Sequence, residues 1–214
     1  MHVARALVLL ALAALVPLAL AAEPADGAKP GPLYESWLSP MQEGGEESET
    51  PKPLVATLGS TAPSTPRAQR ASRGYGTLQF TNDLSRARVD VQIEGVKPAD
   101  IVMFHIHCGP PGVLGPVAVD FGRFGSFEKT FVGGHFTVEL TNSTVTTAAG
   151  HHGVPSGLPE GCPVEAGLPT QVNTIGGLRY LAEKGVLYFN LHTKAHTYFG
   201  EMRGHLLPAP AAAR

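Results

Sequence analysis

The chain reads as an all-β protein, an antiparallel Greek-key β-sandwich with one short helix and two long loop insertions. Three observations predict it. Charged residues make up only 16 % of the 214 residues, whereas 25 glycines and 19 prolines supply turns throughout. Short apolar runs of period two recur between those turns, as in Val89, Val91 and Ile93 alternating with Asp90, Gln92 and Glu94. Only one stretch has a convincing helical period.

The N-terminus is read apart from the fold. Arg5 precedes an apolar run from Ala6 to Leu20, and Ala19-Leu20-Ala21 has the small-x-small pattern of a cleavage site. Residues 1–21 therefore read as a secretory signal peptide, too short for a spanning helix. A secreted or periplasmic location follows, without stable membrane insertion. A net charge of −2 with no Lys/Arg run argues against nucleic acid, and an exported module leaves an extracellular or periplasmic protein as the candidate partner.

The elements follow in order. Residues 22–32 form a Pro-rich spacer, and Tyr34 to Met41 is the first, edge strand. Residues 43–73 read as a disorder-like surface loop, with Gly-Gly-Glu-Glu-Ser-Glu-Thr followed by Ser-Thr-Ala-Pro-Ser-Thr-Pro. Strands are expected at Gly76–Thr81, Arg88–Glu94 and Ile101–His107. In the last, Val102, Phe104 and Ile106 face the core, and Met103, His105 and His107 share the other face. Val117, Val119 and Phe121 predict a further strand, Phe127 and Phe131 another, and Phe136, Val138 and Leu140 the next. Residues 141–172 form the second insertion, which holds His151, His152, Cys162 and the sequon Asn142-Ser143-Thr144. Asn173 or Thr174 caps a helix over 175–184 that stops at Gly185. Val186–His192 places Leu187, Phe189 and Leu191 on one face and Tyr188, Asn190 and His192 on the other. Met202–Leu207 closes the domain before a frayed tail, 208–214.

Candidate site residues cluster at strand ends. His105 and His107 at i, i+2 put two imidazoles on one face, about 7 Å apart at the backbone. His192, from another strand, completes a three-histidine set suited to copper or zinc. The competing reading is structural, with imidazoles hydrogen-bonded to turn carbonyls. Glu201 and Arg203 share a face of the closing strand, as an anion guide above the histidines or as a structural salt bridge or backbone clamp. His196 reads as an exposed loop residue, and His205 receives no role. Cys108 and Cys162, the only cysteines, read as a disulfide. Closing a loop of about 54 residues would be worth ~4 kcal/mol in the chain-entropy model. No nucleophile elbow or carboxylate pair for hydrolysis is present.

The motifs also carry a resemblance. His105-Ile106-His107-x-Gly109-Pro110, Asn190-Leu191-His192-Thr193 and Gly200-Glu201-Met202-Arg203-Gly204-His205-Leu206 resemble the CHRD (chordin) domain, which reads H-I-H-x-G-P, N-V-H-T and G-G-E-I-R-G-x-L. Leu38-Ser39-x-x-Gln42-Glu43 resembles its opening L-S-x-x-Q-E, so the resemblance spans roughly residues 33–207. It implies an immunoglobulin-like barrel or sandwich that serves as an extracellular binding or structural module. A looser similarity, through His105, His107, His192 and Arg203, is to copper–zinc superoxide dismutases. It implies the alternative, a copper-dependent oxidoreductase in which Arg203 draws the anion. The zinc-binding histidine run of that family has no counterpart here.

Overall fold

A computed structural model describes residues 29–145 and 174–210. Among the described residues, nine strands form two antiparallel sheets packed face to face. The strands are β1 (Pro30–Leu38), β2 (Arg73–Thr81), β3 (Ala87–Glu94), β4 (Ile101–Cys108), β5 (Val117–Asp120), β6 (His135–Leu140), β7 (Leu187–Thr193), β8 (Met202–His205) and β9 (Leu207–Pro208). One sheet has the order β6-β3-β2-β1-β9 and the other β5-β4-β7-β8. The expected all-β sandwich is what forms.

The core lies between the sheets and is rich in phenylalanine. Phe104 of β4 sits 4.7 Å from Phe121, 5.5 Å from Phe136 and 5.7 Å from Phe189 by ring centroid. All four are fully buried. Burial of each such ring contributes about 1.5–3 kcal/mol, and offset or edge-on geometry adds to that.

Local departures from the sequence reading have physical causes. Ile101 pairs with Thr193 and Met103 with His192, so one extra residue bulges out of β4. Val102, expected in the core, is consequently exposed, and Ile101 is buried in its place. The Phe127–Phe131 strand is instead a single helical turn, α2 (Phe127–Thr130), which buries both rings from one side at i, i+4 spacing. β1 begins at Pro30, inside the expected spacer, and its outer edge is covered by β9. Leu206 carries the chain from one sheet to the other, so the expected closing strand is split between them.

The helices number more than the one expected. Besides α2 there are α1 (Lys52–Leu58) and α3 (Ile175–Glu183). Thr174 caps α3 by accepting from the Gly177 amide at 2.9 Å, and the Asn142 side chain accepts from the Ile175 amide at 2.8 Å. Residues 43–73, expected as a disorder-like loop, hold α1 and short 3₁₀ turns at Glu47–Glu49 and Arg67–Gln69. They bury Glu43, Glu47, Leu58 and Ser72. This segment earns its order from hydrogen bonds to the loop after β7 rather than from an apolar face. The Thr61 and Ala62 amides donate to the Lys194 carbonyl, Ser60 Oγ to the Ala195 carbonyl and the Thr65 amide to His196 Nε2.

Candidate metal centre on the covered face of the four-stranded sheet

The strand register brings the motifs into one place. Asp120, His105, Asn190 and Arg203 follow one another across β5, β4, β7 and β8. The next line across the sheet is Val117, His107, Tyr188 and His205, and Met103 pairs with His192 on the other side. These polar side chains leave the sheet on the face away from the core. The loop 109–116, the segment 39–72 and the loop after β7 cover that face.

His105, His107 and His192 come together, with one ligating nitrogen from each within 4.8 Å of the others. His105 Nδ1 lies 3.2 Å from His107 Nε2. His107 Nδ1 is 2.8 Å from the Gly115 carbonyl and His192 Nδ1 is 2.9 Å from the Thr197 carbonyl. A carbonyl can only accept, so both rings carry their proton on Nδ1 and keep a lone pair on Nε2. His105 Nε2 faces Asp120 Oδ1 at 3.6 Å, which leaves its Nδ1 turned toward the other two rings. His107 and His192 are thus oriented from behind by carbonyl acceptors, as metal-ligating histidines are, and His105 has the Asp120 carboxylate behind it at ion-pair distance. Burial lowers the His107 pKa to about 4, against the opposing pull of its Gly115 hydrogen bond. The His107 ring, stacked on Tyr188 at 5.2 Å, is therefore neutral at physiological pH and available as a ligand.

Arg203 is fully buried, but it does not point at the histidines as a free cation. Its Nη1 donates to the Val113 carbonyl and its Nη2 to the Pro110 carbonyl, both at 2.8 Å. Its guanidinium lies over the Tyr188 ring, 3.4 Å from the centroid. Burial lowers the Arg203 pKa and raises that of Tyr188 to about 12, the latter opposed by the Arg203 charge. His205 Nε2, whose pKa burial also lowers, is 3.1 Å from the Gly109 carbonyl, and the Gly115 amide donates to the Tyr188 hydroxyl. The Gly-Pro loop is consequently held at Gly109, Pro110, Val113 and Gly115 by side chains of the sheet. Gly115 itself admits no side chain, because a Cβ there would lie 1.8 Å from the Cys108 carbonyl oxygen.

Glu201 makes a different set of contacts. It accepts from Ser72 Oγ at 2.5 Å, from Thr193 Oγ1 at 3.2 Å and from His196 Nδ1. Burial raises its pKa, but the hydrogen bonds from His196 and Ser72 and the Arg70 charge outweigh it, and the net shift is downward. His196 is buried, not exposed as its loop position suggested, because the 65–72 stretch lies over it. Asp120, Glu43 and Glu47 were missed by sequence reasoning. Asp120 pairs directly with His105, in regular register with Val119 opposite Ile106; alternation gives its face, but which strand it pairs with is a long-range property that no local period carries. Cys108 is buried at the end of β4. Cys162, His151 and His152 lie outside the described residues.

This is a β-sandwich module with a histidine cluster on one covered face. The family model for the CHRD domain matches residues 54–206, so the chain belongs to the CHRD domain family. No curated protein and no solved structure matches it. The opening motif around Glu43 precedes the matched residues.

Proposed function

We propose that this chain is an exported CHRD module that binds a transition-metal ion through His105, His107 and His192. The observation that carries this reading is the convergence of three ligating nitrogens within 4.8 Å, with carbonyl acceptors behind His107 and His192 and the Asp120 carboxylate 3.6 Å behind His105. In a tetrahedral zinc site with bonds of about 2.0–2.1 Å, neighbouring ligand atoms are about 3.3 Å apart. The His105–His107 separation of 3.2 Å already fits. Neutral imidazoles suit zinc or copper, and three protein ligands leave a fourth position for water or a ligand.

The alternative, a copper-dependent oxidoreductase of superoxide dismutase type, asks Arg203 to guide an anion. Its guanidinium is committed to the Val113 and Pro110 carbonyls, so the contacts favour binding over anion turnover. Export, a Cys108–Cys162 disulfide and a protein partner outside the cytoplasm belong to the same proposal. No helix among the described residues is long and apolar enough to cross a membrane. A mature N-terminus after Ala21, and an unreduced intact mass two hydrogens below the reduced one, are the results expected.

The deciding experiment is metal analysis of the full chain and of the His105→Ala/His107→Ala double variant, both checked for folding by circular dichroism. Near-stoichiometric zinc or copper in the first and background in the folded second is expected. Background metal in the wild-type chain after reconstitution with zinc and with copper would overturn the reading.

A further inference from the structure

The acidic run Glu46-Glu47-Ser48-Glu49 looks like a solvated stretch, yet Glu47 is only 7 % exposed. Its carboxylate accepts three donors. Ser60 Oγ lies 2.7 Å from Oε1 and shares its one proton between that oxygen and the Ala195 carbonyl, the Tyr198 amide bridges Oε1 and Oε2 at 3.1 and 3.2 Å, and the Phe199 amide binds Oε2 at 3.2 Å. The Tyr198 amide belongs to the same planar peptide unit as the Thr197 carbonyl. That carbonyl is the acceptor for His192 Nδ1 at 2.9 Å.

We propose that Glu47 is a positioning residue for the three-histidine site, acting on His192 through the Thr197–Tyr198 peptide. The inference rests on the metal reading for its functional consequence. In a planar trans peptide the N–H and C=O point in opposite directions, so one hydrogen bond polarises the next. A carboxylate on the N–H end enriches the carbonyl oxygen, which strengthens its hold on the Nδ1 proton. The imidazole then becomes a stronger donor at Nε2, the effect a direct carboxylate partner has on a ligating histidine. Asp120 stands directly behind His105 at 3.6 Å, whereas Glu47 stands behind His192 with one peptide between them. The peptide is further pinned by Asn190 Nδ2, which donates to the Phe199 carbonyl at 3.0 Å.

Glu47→Gln separates this role from simple anchoring. The glutamine oxygen in the place of Oε2 still accepts from Tyr198 and Phe199 and the new amide donates to Ser60 Oγ, so the charge and the Tyr198 contact to Oε1 are lost while each backbone amide keeps an acceptor. Glu46→Gln is the control, because Glu46 is occupied by Arg67 and Arg70. In the metal-free full chain, nuclear magnetic resonance should show the Tyr198 amide proton and the His192 Nδ1 proton moving upfield in Glu47→Gln and unmoved in Glu46→Gln. Competition titration with zinc should show affinity falling roughly ten-fold in Glu47→Gln, with the metal-free chain still folded by circular dichroism.

Wild-type affinity in Glu47→Gln together with an unmoved His192 proton would overturn the proposal and leave Glu47 as an anchor. Should Glu47→Gln not fold, the wild-type chain decides alone. A coupling across the hydrogen bond between the Tyr198 nitrogen and the Glu47 carboxyl carbon supports the relay, and its absence overturns it. A wild-type chain that takes up no zinc or copper sinks the metal reading only, since the proton shifts still decide the relay.

Discussion

The two sheets use the same alternation to opposite ends. In β3 the buried residues Ala87, Val89, Val91 and Ile93 alternate with Arg88, Asp90, Gln92 and Glu94, which face water or sit half-buried. In β7 the pattern of side chains is equally regular, yet all seven residues are buried. The difference is a covering layer. The outer face of the five-stranded sheet is open, with Trp37 57 % exposed beside Tyr75. The outer face of the four-stranded sheet lies under the loop 109–116 and the segment 39–72. Polar groups removed from water this way must be paired with one another, and a cluster of mutually oriented imidazoles results.

The largest effect should come from the cluster itself. Replacing any one of His105, His107 or His192 with alanine is expected to reduce metal occupancy from near-stoichiometric toward background. An equivalent change on the open sheet, His135→Ala, should leave occupancy unaltered. Metal analysis of the four variants checks this directly. Loss of occupancy in His135→Ala would break the assignment of the site to the covered face.

Next in size is Gly200→Ala. Gly200 has φ +109, and a Cβ there would lie 2.2 Å from Asn190 Oδ1 and 2.8 Å from Glu43 Oε1. Backbone strain of about 1–3 kcal/mol adds to overpacking of similar size. Denaturant unfolding should therefore show a loss of about 3 kcal/mol or more. Gly112→Ala, also at positive φ but with open space around its Cβ, isolates the strain and should cost less.

A matched pair compares the faces at equal chemistry. Asn190→Ala removes the donor to the Phe199 carbonyl in a fully covered position, and a loss of about 1–3 kcal/mol is expected. Gln92→Ala, at the corresponding outer position of β3, should stay within about 0.5 kcal/mol. Equal losses would mean that the covering layer does not seal the histidine face.

This contrast also explains what was legible in the sequence. Period two placed Phe104, Ile106, Phe189 and Leu191 in the core and grouped His105, His107 and His192 on one face, because side-chain direction in a strand is a local property. The bulge in β4 escaped it, and with it the exposure of Val102; so did the pairing of β5 with β4 that sets Asp120 beside His105. The covering layer escaped it altogether. Composition marks 43–73 as disorder-like, since it has few apolar residues to bury. Its order comes from Glu46, Glu47, Ser60, Thr65, Arg67, Arg70 and Ser72 meeting partners more than a hundred residues away or within the segment itself. Hydrogen bonds at such separation have no periodic signature.

The gentlest test of the covering layer uses pH. Burial pushes the Glu43 pKa well above the ordinary carboxylate range, and a like-charged Glu201 adds to the rise. Arg203, Arg70 and Arg67 oppose it without prevailing. A carboxyl whose folded pKa is raised binds its proton more tightly when folded. Its contribution to stability is thus fully present below the unfolded value of about 4.3 and is lost as pH rises through the folded value. Glu43→Gln keeps the shape and cannot ionise, so its stability should not decline in that window. The two proteins should unfold at similar denaturant concentrations at low pH, with the variant increasingly the more stable as pH rises. Parallel profiles across the range would mean that Glu43 reaches water in the folded chain and that the segment over the histidines opens freely.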